Sequence, residues 1–390
     1  MHTGIRTGIF VTLAAAALAA GSLPAAAASA PPPSLTVLTS NGVSRGDIFV
    51  ADFGPPSGHG AGPEILSTAG QVIWYHPVPA GTAVTDFRTQ TYLGKPVLTW
   101  IQQSKSGSVT DYIYNDHYKL IATVKAGDGA ATDMHEFQLT PWNTALITAT
   151  KTVRANLAAF GGPKNQVVTD GIVQEIDIRT GKVLFQWDSA GHVPYGDSHL
   201  PLPGNANEGW DWFHINAAHL DPSGNLIVDS RYTWAFYDVS RRTGKVLWQL
   251  GGKHSSFKEK AAPGQVLDNA GAIFAWQHDP VAVSSDVYTV FDDESDGDST
   301  QLPYSRAVTV RLDFKTHVAT LVKAFRQPEG LLTVAFGSVQ TTSDGDQFVG
   351  WGQAPYVSEF SPSGKLVYNA EFPRGDFNYR AYLLPWHPAS

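Results

Sequence analysis

The most regular feature of the chain is a repeated pair of apolar strands joined by a short polar turn. The clearest copies are DIRTGKVLFQWD, from Asp177, and VSRRTGKVLWQLG, from Val239. Four weaker copies share the pattern. The six turns centre on Gly70, Lys119, Gly181, Gly244, His317 and Gly364. Glycine permits the positive φ of a tight hairpin, and the aromatic residue after it is placed to pack between sheets. Spacings of 47 to 73 residues are typical of four-stranded propeller blades.

Six such repeats predict an all-β fold, a six-bladed β-propeller over residues 46–390. No window after the first thirty residues shows a sustained helical periodicity. Hydrophobic residues make up 43% of the chain and charged residues 16%, which is enough apolar surface for a large core. A β-sandwich is the alternative fold that the same short strands allow.

A second repeat places a histidine at the same point of three blades. HEFQLTP begins at His135, HINAAHL at His214 and HDPVAV at His278, while the equivalent stretches at Phe87 and Val339 lack histidine. Each motif starts a strand, and the innermost strands of a propeller line its central channel. We therefore expect the three imidazoles to converge at the axis.

Two further polar residues belong to the hairpin of His214. Asn216 lies two residues on, a spacing that puts both side chains on one face of a strand, and Arg231 ends the paired strand.

Three imidazoles alone suit Zn²⁺ or Cu²⁺. A permanent cation nearby disfavours a metal and favours an oxyanion such as sulfate or phosphate. No metal and no cofactor are therefore expected.

An acidic segment and a long loop complete the candidates. DDESDGDS, Asp292–Ser299, is either a solvated loop or a Ca²⁺ site. Arg306 follows it, and either approaches the channel as a substrate-binding residue or pairs with these acids. The segment Gly191–Gly209 is rich in proline and glycine, and is placed to roof the channel and set the choice of acceptor.

Three long stretches resemble the arylsulfotransferase family. They are Asp211–Lys253, Phe274–Val283 and Asn378–Trp386. The resemblance implies a six-bladed propeller that moves a sulfuryl group from a phenolic sulfate ester to a phenol acceptor. It implies a nucleotide-independent, ping-pong reaction.

The resemblance also implies residue roles. His278, in WQHD, matches the histidine that is transiently sulfated. The motifs HEFQLTP and FHIN match His135, His214 and Asn216 to sulfuryl-binding positions, and DSRYTW matches Arg231 to the arginine that binds sulfuryl oxygens. The same blade motifs leave two other interpretations open, an exported propeller that serves as a binding scaffold and a quinoprotein-like dehydrogenase. Six repeats and the absence of cysteine argue against the quinoprotein.

The N-terminus predicts export. Residues 1–30 read as a signal peptide with cleavage after Ala28 or Ala30, followed by a proline-rich spacer over residues 31–45. The protein is therefore expected to be secreted or otherwise extracytoplasmic. With a net charge of −8 and no basic stripe, neither nucleic acid nor a membrane is an expected partner.

Overall fold

The computed structural model describes residues 30–52 and 58–389, and in these the protein is built from β-strands with two short 3₁₀ helices. Residues 1–29, which carry nearly all of the predicted signal peptide, lie outside the described residues. Within the described ranges, no helix is both long and apolar enough to cross a membrane.

The strands follow one another along the chain without intervening α-helices in the described part. Their bounds are β1 Thr36–Ser40, β2 Asp47–Asp52, β3 Gly62–Leu66, β4 Val72–Tyr75, β5 Ala83–Tyr92, β6 Lys95–Gln103, β7 Val109–Asn115, β8 Leu120–Val124, β9 Ala131–Leu139, β10 Thr144–Ala155, β11 Gln166–Asp177, β12 Val183–Asp188, β13 Ile215–Leu220, β14 Leu226–Ser230, β15 Ala235–Val239, β16 Val246–Gly251, β17 Lys258–Ala261, β18 His278–Ala282, β19 Val287–Asp292, β20 Arg306–Asp313, β21 Val318–Phe325, β22 Ser338–Thr341, β23 Gln347–Gly350, β24 Tyr356–Phe360, β25 Leu366–Glu371 and β26 Asn378–Leu384. The 3₁₀ helices are Ala158–Phe160 and Tyr195–Asp197.

The strands form six antiparallel sheets, and this confirms the predicted six-bladed propeller. From the axis outward the blades are β26-β2-β3-β4, β5 to β8, β9 to β12, β13 to β16, β18 to β21 and β22 to β25. The fifth blade gains β17, parallel to β21, and the sixth gains β1, antiparallel to β25. The first strands of neighbouring blades contact one another in a closed ring, β26, β5, β9, β13, β18 and β22, around the channel.

Each of the six repeated turns joins the third and fourth strands of a blade. Gly181 and Gly244 have φ of 71° and 72°, as the tight turn requires. In the two copies without glycine, Tyr118 and His317 take the left-handed conformation, at 57° and 52°. The aromatic residue after the turn packs between blades. Trp187 of the third blade, for example, is fully buried against the core of the fourth.

Both chain ends close the ring. β26, near the C-terminus, is the innermost strand of the first blade and pairs with β2. β1 covers the outer edge of the sixth blade by pairing with β25. The segment predicted as a spacer over residues 31–45 therefore contributes a strand, and the propeller begins at Thr36. The physical reason is that β25 would otherwise expose an unpaired edge.

Candidate active site

The three repeat-equivalent histidines meet at one end of the channel. The ring centres of His135 and His214 are 5.1 Å apart, and those of His135 and His278 are 6.2 Å apart. His135 is on β9, His214 directly precedes β13 and His278 begins β18, so three successive blades each contribute one imidazole. The convergence expected from the repeat is thus present in the structure.

Backbone irregularities at the same level of the ring direct polar side chains into the channel. Five of the six innermost strands carry a register shift close to their start, and β22 pairs without one. A bulge leaves an extra residue unpaired and turns its side chain away from the regular alternation. The residues at these shifts include Asp86, Glu136, Asn216, Asp279 and Arg380.

His278 is a neutral imidazole in which only one of the two ring nitrogens is hydrogen-bonded by the described residues. Its Nδ1 lies 2.8 Å from the carbonyl oxygen of Gly337, in the sixth blade, so Nδ1 carries the proton and donates it. Nε2 is buried and has no hydrogen-bond partner among the described residues. Burial above all, with the nearby charges of Arg380 and His135, lowers the pKa of His278 well below its ordinary value. Nε2 is therefore an available lone pair at neutral pH.

His135 and His214 each pair with a carboxylate. The Nδ1 of His135 is 2.6 Å from Asp133, which also accepts a hydrogen bond from Thr148. The Nδ1 of His214 is 2.5 Å from Asp211. A carboxylate on Nδ1 fixes the orientation of an imidazole ring. In these two rings, unlike in His278, the group that holds Nδ1 is a side-chain carboxylate and not a backbone carbonyl.

Asn216 is buried in the fourth blade, and its side chain holds the segment of the fifth blade that precedes His278. The prediction that it shares a strand face with His214 is wrong, because His214 has a φ of 51° and β13 bulges at Asn216. Its side chain is fully buried and donates from Nδ2 to the carbonyl oxygen of Gln277, 2.9 Å away. Asn216 thereby fixes the residue that directly precedes His278.

The guanidinium of Arg231 is bound on both terminal nitrogens by the protein. Nη1 donates to the carbonyl oxygen of Trp276 at 2.7 Å and to Asp293 at 2.9 Å. Nη2 donates to the carbonyl oxygens of Ser295 at 3.2 Å and Val334 at 2.5 Å. Arg231 thus joins the strand that leads to His278 with two loops of the fifth and sixth blades.

Arg306 is placed inside the fifth blade, where it pairs with the acids rather than with the histidines. It contacts Asp292 at 2.7 Å and Glu294 at 2.5 Å, and donates to two backbone carbonyls. The buried acids Asp292, Asp293 and Glu294 are therefore taken up by Arg306 and Arg231, and this part of the acidic segment is neither a solvated loop nor an open cation site.

Two site residues that the sequence analysis did not single out come from β26. The ring of Tyr379 is 5.1 Å from that of His278, and its hydroxyl donates to the carbonyl oxygen of His135 at 2.9 Å. Arg380 lies below. Nη1 contacts Glu136 at 2.8 Å, and Asp86 and Asp279 at 3.3 Å each, while Nη2 donates to the carbonyl oxygen of Asn216 at 2.8 Å. The C-terminal strand thus ties four other blades together.

The sequence repeat contains a signal for Arg380 and for the three acids that it contacts. An acid directly follows Thr85, His135 and His278, and Arg380 directly follows Tyr379 at the equivalent point of β26. Although burial alone would raise it, the charges of His219, Arg380 and Arg88 lower the pKa of Glu136 to about 2. Glu136 is therefore an ionised partner of Arg88 and Arg380.

Glu136, His219 and Asp279 also offer ligand atoms within 4.8 Å of one another, the spacing of a metal site. Arg380 already contacts both carboxylates, and His219 donates to Asp279 at 2.8 Å. The guanidinium supplies the positive charge that a metal ion would bring. This donor set therefore reads as a salt-bridge network.

Two of the solved structures that this chain is similar to come from bacteria. A protein of unknown function from Bacteroides caccae is 11% identical with a TM-score of 0.50, over 87% of this chain and 98% of that one. The periplasmic gluconolactonase PpgL of Pseudomonas aeruginosa is 12% identical with a TM-score of 0.45, over 88% and 100% of the two chains. Among the curated proteins, none matches the chain.

The match to a protein-family model includes the three histidines of the site. The family model for arylsulfotransferases (ASST) matches residues 88–373, which contain His135, His214 and His278. Because this match covers most of the chain, the protein belongs to the arylsulfotransferase family.

Proposed function

We propose that the protein transfers a sulfuryl group from a phenolic sulfate ester to a phenol acceptor, through a covalent intermediate on His278. The observation that carries the proposal is the state of His278, whose Nδ1–H is held by Gly337 while its buried Nε2 has no partner among the described residues. An imidazole fixed in one tautomer with a free lone pair is the arrangement of a nitrogen nucleophile.

In the first half-reaction, Nε2 of His278 attacks the sulfur of the donor ester. The N–S bond forms as the S–O bond to the aryl oxygen breaks, and the electron pair leaves with the phenolate. His135 or His214 donates a proton from Nε2 to this oxygen. The ring of His278 becomes cationic, and the carbonyl of Gly337 stabilises it through Nδ1–H.

In the second half-reaction, a phenol acceptor gives its proton to Nε2 of His135 or His214, whichever ring gave up a proton in the first, and its oxygen attacks the sulfur. The N–S bond breaks, a new aryl sulfate leaves and His278 is again neutral. Donor and acceptor use the same site in turn, so the reaction is ping-pong.

Positive groups around the cluster stabilise the three sulfuryl oxygens during transfer. We assign direct donation to the Nε2–H groups of His135 and His214, because each Nδ1 is backed by a carboxylate. Arg231 adds its positive charge and holds Trp276, two residues before His278. Asn216 is a positioning residue, and Arg306 stabilises the fifth blade. We propose these roles for the residues, and we also propose that the protein is exported from the cytoplasm.

The test is mass spectrometry of the purified protein, quenched after mixing with a chromogenic aryl sulfate and no acceptor. We expect one added sulfuryl group on the peptide that carries His278, and its loss on addition of phenol. His278→Asn should remove both the adduct and turnover. His117→Asn, an exposed histidine in the turn after β7, is the matched control and should behave as the wild type.

A sulfated peptide that contains His135 or His214 instead would overturn the assignment to His278. Turnover without any adduct would exclude the covalent mechanism. A folded protein that releases no phenol from any aryl sulfate would contradict the proposed reaction and favour a binding scaffold.

A further inference from the structure

A cavity of about 300 Å³ adjoins the histidine cluster. Its walls include Tyr232, whose ring is 5.2 Å from that of His214, and Trp276, two residues before His278. Leu200 and Pro201 line it from the segment Gly191–Gly209. The ring of Tyr232 is therefore a wall that the cavity shares with the histidine cluster.

One side of the cavity is an aromatic stack. The ring of His199 lies parallel to that of Trp234, with centres 3.7 Å apart, and Trp234 meets Trp276 at 4.5 Å. Burial, assisted by Lys253, lowers the pKa of His199 to about 4, so its ring is neutral at physiological pH. The Nε2 of His199 and the Nε1 of Trp234 are buried without a hydrogen-bond partner among the described residues.

Two acidic residues, Asp296 and Asp298, also line the cavity. Asp296 accepts hydrogen bonds from the backbone N–H groups of Asp298 and Ser299, which gives the loop a defined shape. Arg231 anchors the same loop through the carbonyl oxygen of Ser295. Among the described residues that line the cavity there is no lysine or arginine, and the neighbouring Lys253 and Arg231 donate to the backbone carbonyls of Ser198 and Ser295.

Tryptophan faces and carboxylates together are the chemistry that recognises an organic cation. A protonated amine gains from the negative face of an aromatic ring and from the field of the carboxylates. An anionic substituent would gain from neither. The cavity therefore distinguishes aryl substrates by the charge of the group that they carry away from the reacting oxygen.

We propose that this cavity selects phenols that carry a protonated amine. The phenolic oxygen would face the histidine cluster, and the ammonium group would lie between the tryptophans and Asp296 and Asp298. Describing the ligand as a substrate rests on the proposed function, whereas the charge preference of the cavity does not.

The experiment uses three para-substituted phenols of matched size, with an aminoethyl, a hydroxyethyl and a carboxymethyl group. Binding is followed by the intrinsic tryptophan fluorescence of the full chain, and acceptor activity by kcat/KM. We expect the amine to bind about tenfold more tightly than the hydroxyethyl phenol, and the carboxylate to bind most weakly.

The double substitution Asp296→Asn and Asp298→Asn should make the amine and the hydroxyethyl phenol equal, and should leave the affinity for the hydroxyethyl phenol unchanged. Asp344→Asn, in the exposed hairpin between β22 and β23, is the matched control and should retain the preference. Raising the salt concentration should weaken only the binding of the amine.

Equal affinity for the amine and the hydroxyethyl phenol in the wild type would overturn the proposal, as would a preference that survives the double substitution. If no phenol accepts a sulfuryl group, the proposed function fails, and the fluorescence titration still decides whether the cavity prefers a cation.

Discussion

At the scale of single residues, the three imidazoles of the site differ in the group that contacts Nδ1. His135 and His214 have carboxylates on Nδ1, while His278 has a backbone carbonyl there and is 2% exposed. Burial beside a cation favours the neutral ring of His278. In the proposed mechanism, one side-chain type thus supplies both the nucleophile and two hydrogen-bond donors.

This difference predicts the pH dependence of the first half-reaction. Because the pKa of His278 is lowered, the ring stays neutral as the pH falls through 6.5, the ordinary value. The single-turnover rate of adduct formation should therefore not decline between pH 7.5 and 6. Rapid quench at several pH values measures this rate. A loss of rate with a midpoint near pH 6.5 would show that His278 titrates normally.

At the scale of elements, the site is a product of irregular strand starts. The bulges in β5, β9, β13, β18 and β26 lie at one level and bring charged or amide residues towards the axis. Left-handed backbone at Asp86, His214 and Asp279 accompanies them. Such conformations cost about 1–3 kcal/mol each, and they persist where surrounding contacts compensate.

Asn216 tests this arrangement at the bulge of β13. Asn216→Ala removes the hydrogen bond to Gln277 and leaves a buried carbonyl unpaired, so unfolding free energy should fall by about 1–3 kcal/mol. Displacement of His278 should lower kcat about tenfold, with a smaller effect on KM. Urea denaturation and steady-state kinetics measure the two effects.

Asn216→Asp, which has no N–H to donate, should be at least as damaging, and the exposed Asn165→Ala should be neutral. A variant that loses stability but keeps its kcat would limit Asn216 to a structural role.

At the scale of the whole molecule, the two chain ends hold the ring closed. β26 supplies the innermost strand of the first blade, and Arg380 on it contacts residues of blades two to five. β26 therefore both closes the ring of blades, by pairing with β2, and contributes Tyr379 and Arg380 to the site.

Deletion of residues 378–390 should therefore abolish the cooperative fold. It would expose the edge of β2 and leave Asp86, Glu136 and Asp279 without Arg380. Circular dichroism during thermal unfolding measures the effect, with a truncation of residues 389–390 as the control. An unchanged melting temperature in the longer deletion would refute the closure.

The sequence by itself determined the number of blades, the position of each repeated turn and the convergence of His135, His214 and His278. These follow from local patterns that recur in each blade, because strand alternation and turn chemistry act between residues close in the chain. The strand-like stretches GDIFVADF, from Gly46, and NYRAYLLPW, from Asn378, also predict that the two ends share or abut one blade.

Only the tertiary structure decided which residues surround the histidines. A bulge is set by the fit between a strand and the axis, and it does not change the hydrophobic pattern. For this reason Asn216 does not share a strand face with His214. Arg231 binds the protein on both Nη atoms and Arg306 is paired inside a blade, through contacts with other strands and loops. Gly337 holds His278 from 59 residues away. No local pattern records such a contact, because it forms only when the ring of blades has closed.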